Sequence, residues 1–162
     1  MEERERKKAE RKARKKEQRK AREETARLER QREAERKVKR ELKEGRRRRE
    51  AWDDYETRWK KCTSAEVANH SLNFQDIPWP VFSVPSATED LTTERISVFL
   101  LYGLDGETES KTRKERIREA LLRWHPDKFE GKMGAKLDLR DKDSVLDGVG
   151  IVARCLNELM AK

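Results

Sequence analysis

The sequence predicts an all-α protein with a long charged N-terminal helix, a proline-rich connector and a small three-helix module. Three observations predict it. The first 44 residues lack proline and glycine, three prolines fall within residues 71–87, and apolar residues beyond that point recur at helical spacing. We assign residues 1–62 to the charged helix, 63–87 to the connector and 88–162 to the module.

Charge divides the chain into two parts. The 162 residues are 46% charged and only 33% hydrophobic. Residues 1–50 hold 24 Lys/Arg against 13 Asp/Glu, whereas the remainder holds 17 against 20. A segment with so little apolar surface cannot offset its chain entropy by forming a core. We therefore expect a basic arm joined to a nearly neutral domain.

Composition also excludes several classes of protein. No run of about 18 apolar residues is present, so we expect no membrane span. The N-terminus has no apolar stretch of the kind found in a secretory signal. The two cysteines, Cys62 and Cys155, have neither metal-site spacing nor the number of a disulfide framework. A reducing compartment fits best.

Residues 1–62 favour a solvated helix. Glutamate lies four residues before a basic residue at several positions, such as Glu3 and Lys7, and each pair adds about 0.2–0.5 kcal/mol to a helix. Leu28, Val38 and Leu42 do not sustain a heptad, so a coiled coil is not favoured.

Two basic clusters lie in the arm, and they suggest nuclear import or contact with nucleic-acid phosphate. The alternative is a solvated helix face. No aromatic residue lies within residues 1–50, so base stacking is not expected. We expect a nuclear protein, with the cytoplasm as the alternative. The candidate residues are Arg11, Lys12, Arg14, Lys15, Lys16, Arg46, Arg47, Arg48 and Arg49.

Aromatic residues mark the join between helix and domain. Trp52, Tyr55 and Trp59 share one helical face, and we expect this face to dock onto the module rather than form a ligand cage. Residues 71–87 predict an extended connector. Its expected anchors on the core are Ile77, Trp79, Val81 and Phe82.

Three helices are predicted in the module. Thr92 caps the first, which ends at Gly103, and residues 109–124 form the second. Lys111, Lys114 and Arg118 fall on one flank of the second helix. A loop spans residues 129–141, and the third helix begins near residue 143. The apolar stripe of the third helix is Val145, Val149, Val152, Leu156 and Leu159.

The tripeptide His125-Pro126-Asp127 follows the basic second helix directly. Proline fixes a rigid turn there, which would present the imidazole and the carboxylate at a helix tip. No nucleophile at a diagnostic spacing and no glycine-rich phosphate loop is present. We therefore expect a protein without enzymatic activity, and neither a cofactor nor a metal.

The module resembles the J domain of Hsp40-type co-chaperones over residues 95–161. ALLRWHPDKF is similar to the end of the second J-domain helix with its tripeptide, LLYGL to the end of the first helix and ARCLNELM to the third. We expect the fourth helix of a typical J domain, which would follow the third, to be absent. A closer resemblance, including the IPWP connector, is to the NF-kappa-B inhibitor-like proteins and their fungal relatives, here without ankyrin repeats.

The resemblance implies protein recognition. In the J-domain interpretation, basic side chains steer the module toward an acidic face of an Hsp70-type chaperone, and the tripeptide inserts there and favours ATP hydrolysis. The implied partner-binding residues are His125, Pro126, Asp127, Lys114, Arg118 and Lys128.

Three alternatives stay open at this point. The chain could be a nuclear scaffold of a ribonucleoprotein or regulatory complex with a degenerate J module. It could be a basic nucleic-acid-binding protein. The tripeptide could also serve only as a helix cap.

Overall fold

The computed structural model describes residues 1–102 and 112–162, which contain five α-helices and no β-strand. The predicted all-α class is confirmed. The described residues contain no helix long and apolar enough to cross a membrane. The chain forms two compact units, residues 1–47 and 48–162. The helices are α1 (Glu2–Thr63), α2 (Thr93–Leu100), α3 (Arg113–Trp124), α4 (Pro126–Met133) and α5 (Lys142–Ala161).

Apart from Met1, the first unit consists of α1 residues alone, and its residues 1–44 are all exposed. Even its largest apolar side chains face solvent: Leu28 is 45% exposed, Val38 54% and Leu42 68%. Ion pairs one turn apart lie along the helix, as between Glu3 and Lys7 at 2.8 Å. The predicted solvated helix is confirmed.

Because local pairing and propensity support this helix, a peptide of residues 1–50 should be helical and monomeric by itself. Circular dichroism at low temperature should show substantial helix at about 10 mM salt. Helicity should fall toward 1 M salt, because salt screens exposed ion pairs. A random-coil spectrum at low salt would contradict the prediction.

The second unit encloses the core, to which the last turns of α1 contribute Tyr55, Trp59 and Cys62. Trp52 is half-buried against the same cluster. The predicted docking of this aromatic face is therefore confirmed. Arg48 also belongs to this unit, and its guanidinium carbon lies 4.6 Å from the centre of the Tyr102 ring.

The connector residues Ile77, Trp79 and Val81 are buried, as predicted. Phe82 remains 39% exposed and packs edge-on against Phe99, with ring centres 5.0 Å apart. The proline-rich segment is therefore part of the core rather than a free linker.

Helices α2 and α3 start at the expected kind of cap. The Thr92 hydroxyl accepts a hydrogen bond from the Arg95 amide, and Thr112 and Glu115 form a reciprocal capping box. Helix α2 reaches Leu100. The predicted end at Gly103, the start of the second helix at residues 109–111 and the side chain of Lys111 lie outside the described residues.

The segment predicted as a loop over residues 129–141 contains most of α4 and a 3₁₀ turn, Gly134–Lys136. Pro126 starts α4 at a position where the fixed φ of proline suits a helix. Phe129 and Met133, four residues apart, are fully buried and fix the helix against the core. Within the described residues, the module thus has four helices after the connector, one more than the three predicted.

Helix α5 presents its predicted stripe to the core. Gly148 packs directly against the Trp79 indole. A Cβ at this position would come within 2.6 Å of the indole Cη2 atom, so the packing requires glycine. A Cβ at Gly150 would meet no atom within 4 Å. The stripe residues Val145, Val149, Val152, Leu156 and Leu159 are all buried.

Candidate protein-interaction site

A cluster of aromatic rings holds the end of α3. Trp124 is fully buried and stacks against both Trp79 and Phe129, at 5.3 and 5.6 Å between ring centres. The ring centre of Trp59 lies 5.2 Å from that of Trp124. The Trp124 indole nitrogen donates a hydrogen bond of 3.1 Å to the Tyr55 hydroxyl. Trp124 and Phe129 therefore fix the chain on both sides of residues 125–128.

Arg123 ties the same end of α3 to α1. Its guanidinium donates hydrogen bonds to both carboxylate oxygens of Glu56, at 2.7 and 3.1 Å, and lies over the rings of Tyr55 and Trp59. Burial by itself would lower the pKa of Arg123, but the hydrogen bonds and electrostatic interactions with Glu56 and Tyr55 together outweigh burial and raise the pKa. Burial raises the pKa of Tyr55, so its hydroxyl stays protonated at neutral pH.

The tripeptide lies at the junction of α3 and α4. His125 is the residue between the two helices, and its carbonyl oxygen accepts the first hydrogen bond of α4 from the Phe129 amide at 2.9 Å. Pro126 is the first residue of α4, and residues 125–128 are all exposed.

In the structure Asp127 lies in the first turn of α4, and no side chain caps that helix. Exposed acidic side chains in a first turn still interact favourably with the helix dipole. Within the described residues, the imidazole of His125 and the carboxylate of Asp127 are left open to solvent.

A groove lies between α3 and α5 and ends at the tripeptide. We call it the α3/α5 groove; its volume is about 750 Å³ and its surface is mostly apolar. Leu122 is the most exposed large apolar side chain that lines this groove, at 58%. The lining residues are Arg118, Leu121, Leu122, His125, Pro126, Gly150, Ala153, Arg154 and Asn157.

The structure brings together three of the six predicted partner-binding residues, Arg118, His125 and Pro126, in this groove. Lys114 is exposed one helical turn before Arg118, and it does not line the groove. Asp127 and Lys128 are exposed on α4 beside it. These six residues therefore lie along α3 and the first turn of α4, and only half of them share a cavity.

The α5 side of the groove was not predicted from the sequence. Gly150, Ala153, Arg154 and Asn157 recur at intervals of three, one and three residues, which places them on one helical face. This face consists of small and polar residues, unlike the apolar stripe. Its periodicity marks a second face of α5 in the sequence, but it does not show which helix that face packs beside.

We expect His125→Gln to change the free energy of unfolding by less than about 0.5 kcal/mol, as at most exposed sites. The side chain is exposed and makes no contact that holds the described core together. Denaturant unfolding of the full chain tests this. A large loss of stability would mean that the tripeptide acts structurally, as a helix cap.

Comparison with known proteins gives one family. Residues 94–162 match the family model of the NF-kappa-B inhibitor-like protein 1 C-terminal domain. No curated protein matches the chain, and no solved structure does. The match includes α3, α4, α5, the tripeptide and the whole α3/α5 groove. The C-terminal module is thus similar to the C-terminal domain of NF-kappa-B inhibitor-like protein 1.

Proposed function

We propose that the chain is a non-enzymatic scaffold of a nuclear ribonucleoprotein or regulatory complex, and that it binds a partner protein through the α3/α5 groove. The observation that carries the proposal is the groove itself. Apolar surface stays open in a groove between two helices, whereas the other exposed apolar side chains of the module, such as Val98 and Leu139, do not line this groove. Open apolar surface with a polar border is typical of protein interaction sites.

Charge supports an acidic partner segment. Two arginines, Arg118 and Arg154, line the groove, and no acidic residue is among its described lining residues. Lys114 is exposed one turn away on α3. A helix with apolar residues on one face and carboxylates beside them would match both the apolar surface and these cations.

Nuclear placement is proposed from the basic clusters at residues 11–16 and 46–49. Arg11, Lys12, Arg14, Lys15 and Lys16 are all exposed on α1. In the second cluster Arg48 is engaged with aromatic rings. The first cluster is therefore the better candidate for recognition by an import receptor.

A second candidate function, Hsp70 co-chaperone, is favoured by the tripeptide. His125 and Asp127 are exposed at a junction fixed by buried aromatic residues on both sides, which suits insertion into a polar network of a partner. The basic residues of α3 and α4 would steer the module toward an acidic face of an Hsp70. They are Lys114, Arg118 and Lys128.

Co-purification tests the scaffold proposal. The tagged full chain is isolated from nuclear extract of its own cells beside two variants, Leu122→Glu in the groove and Val98→Glu on α2. Val98 is 52% exposed, so it is a matched control. We expect a defined partner to bind the purified wild type and Val98→Glu directly, and to bind Leu122→Glu at least tenfold more weakly.

Two results would contradict the scaffold proposal. One is the absence of any partner that binds the purified chain directly. The other is equal loss of binding in both variants, or equal retention in both, because the groove would then have no specific part in recognition.

An ATPase assay tests the co-chaperone candidate. Under this candidate the full chain stimulates hydrolysis by an Hsp70 from its own compartment, and His125→Gln, which should fold normally, abolishes the stimulation. Absence of stimulation by the wild type, or equal stimulation by the variant, would remove the candidate and leave the scaffold proposal in place.

A further inference from the structure

The cations of the first unit are not spread evenly around α1. Between residues 4 and 22, basic residues recur at intervals of four, three, four, four and three. Such intervals keep side chains on one helical face. We call this face the cationic stripe. Its members are Arg4, Lys8, Arg11, Lys15, Arg19 and Arg22.

Acidic residues stay off this face. At about 100° per residue, each glutamate of residues 2–22 lies roughly 80° or more from the centre of the stripe. The pattern ends beyond Arg22, because Glu29 and Glu33 occupy the same face in the following turns. Arg19 pairs with Glu23 at 3.3 Å, and the other five cations have no ion pair within the described residues.

The stripe is about 27 Å long at 1.5 Å per residue. Every one of its side chains is exposed. A nucleic-acid duplex carries about one phosphate per 1.7 Å of its axis, or about 16 phosphates over this length. The six cations of the stripe are therefore fewer than the phosphates available along a duplex of the same length.

Other partners fit less well. Alanine is the only apolar residue type between residues 2 and 27, so the helix has no apolar face to insert into a membrane or a hydrophobic protein groove. The absence of aromatic residues from residues 1–50 disfavours single strands, which proteins bind by stacking bases.

We propose that the cationic stripe binds the phosphate backbone of a nucleic-acid duplex without sequence preference. Each contact releases condensed counterions, so the logarithm of affinity should fall linearly with the logarithm of salt concentration. With six cations the slope should approach about −5 on duplex DNA. The inference concerns a different unit from the α3/α5 groove, and it stands or fails independently of the proposed scaffold function.

Fluorescence anisotropy of the full chain with a labelled 24-base-pair duplex tests the proposal, with DNA and RNA of one sequence as separate arms. Two double variants carry the same change in net charge. Lys8→Gln with Lys15→Gln removes two stripe cations, whereas Arg6→Gln with Lys20→Gln removes two cations of the opposite face. Glutamine is a good helix former, and circular dichroism confirms equal helicity.

We expect the stripe variant to bind at least tenfold more weakly near 0.1 M salt, with a salt slope shallower by about 1.8. The opposite-face variant should stay within about threefold of wild type. Similar binding of DNA and RNA duplexes would indicate a shared backbone site, and a preference for one would identify the source of the phosphates.

Equal weakening by both variants would overturn the proposal, because net charge rather than the stripe would then govern binding. Failure to bind both the DNA and the RNA duplex at 0.1 M salt would overturn the proposal as well. So would tighter binding to vesicles that contain phosphatidylserine than to the duplexes.

Discussion

Trp124→Ala is expected to lower the free energy of unfolding of the second unit by about 3–5 kcal/mol. The side chain is fully buried and contacts rings from α1, the connector and α4. Its removal would leave a cavity among Trp59, Trp79 and Phe129, and it would leave the Tyr55 hydroxyl without its indole donor. Urea unfolding followed by far-ultraviolet circular dichroism measures the change.

Leu122→Ala is the matched control for this prediction. Leu122 lies on the same helix and is 58% exposed, so its truncation should change stability by no more than about 0.5 kcal/mol. An unchanged unfolding midpoint for Trp124→Ala would show that the aromatic cluster does not hold the core.

Trp79→Ala is expected to cost a similar amount, about 3–5 kcal/mol, although Trp79 lies in the proline-rich connector. The indole is 3% exposed, stacks on Trp124 and donates a hydrogen bond of 2.9 Å to the Phe74 carbonyl. It also lies directly on Gly148 of α5. If the connector were a flexible linker, the substitution would change stability little.

Gly148→Ala provides a second test of the same contact. In the wild type the added methyl group collides with the Trp79 ring, and overpacking of this kind costs about 1–3 kcal/mol. In a Trp79→Ala background the obstacle is gone, and alanine, the better helix former by about 1 kcal/mol, should become neutral or stabilising.

Gly150→Ala is the control for the glycine substitution. A Cβ at this position meets open space, so the change should stabilise α5 by up to about 1 kcal/mol with or without Trp79.

Additive effects of Trp79→Ala and Gly148→Ala on the free energy of unfolding would contradict the predicted contact between these two residues.

Periodicity predicted most of the fold correctly. The buried stripe of α5 and the docking of Tyr55 and Trp59 both follow from apolar spacing of three and four residues. The solvated helix of residues 1–44 followed from composition, because those residues have too little apolar surface to form a core.

Helix α4 was not predicted for two physical reasons. It has only eight residues, so its stability comes from tertiary packing rather than from propensity. Its proline and glycine also suggest a turn when they are considered alone. Phe129 and Met133 supplied a four-residue apolar interval, but two residues cannot distinguish a short helix from a loop that buries its side chains.

The candidate site was predicted in part. Arg118 and the tripeptide could be predicted as site residues from the sequence, because Arg118 lies on α3 and the tripeptide directly follows that helix. The opposite wall of the groove depends on how α5 packs against α3, and no local pattern fixes that packing. Ala153 and Arg154 could therefore be assigned to the site only from the structure.

Site-specific photo-crosslinking in cells tests most directly whether the α3/α5 groove binds an acidic segment of a partner protein. The full chain carries p-benzoylphenylalanine at position 122 in the groove or, as the control, at position 98 on α2. We predict that position 122 gives one major protein conjugate, attached at a peptide rich in Asp and Glu, and that position 98 does not. The proposal would be contradicted if position 122 gave no protein conjugate above the level at position 98.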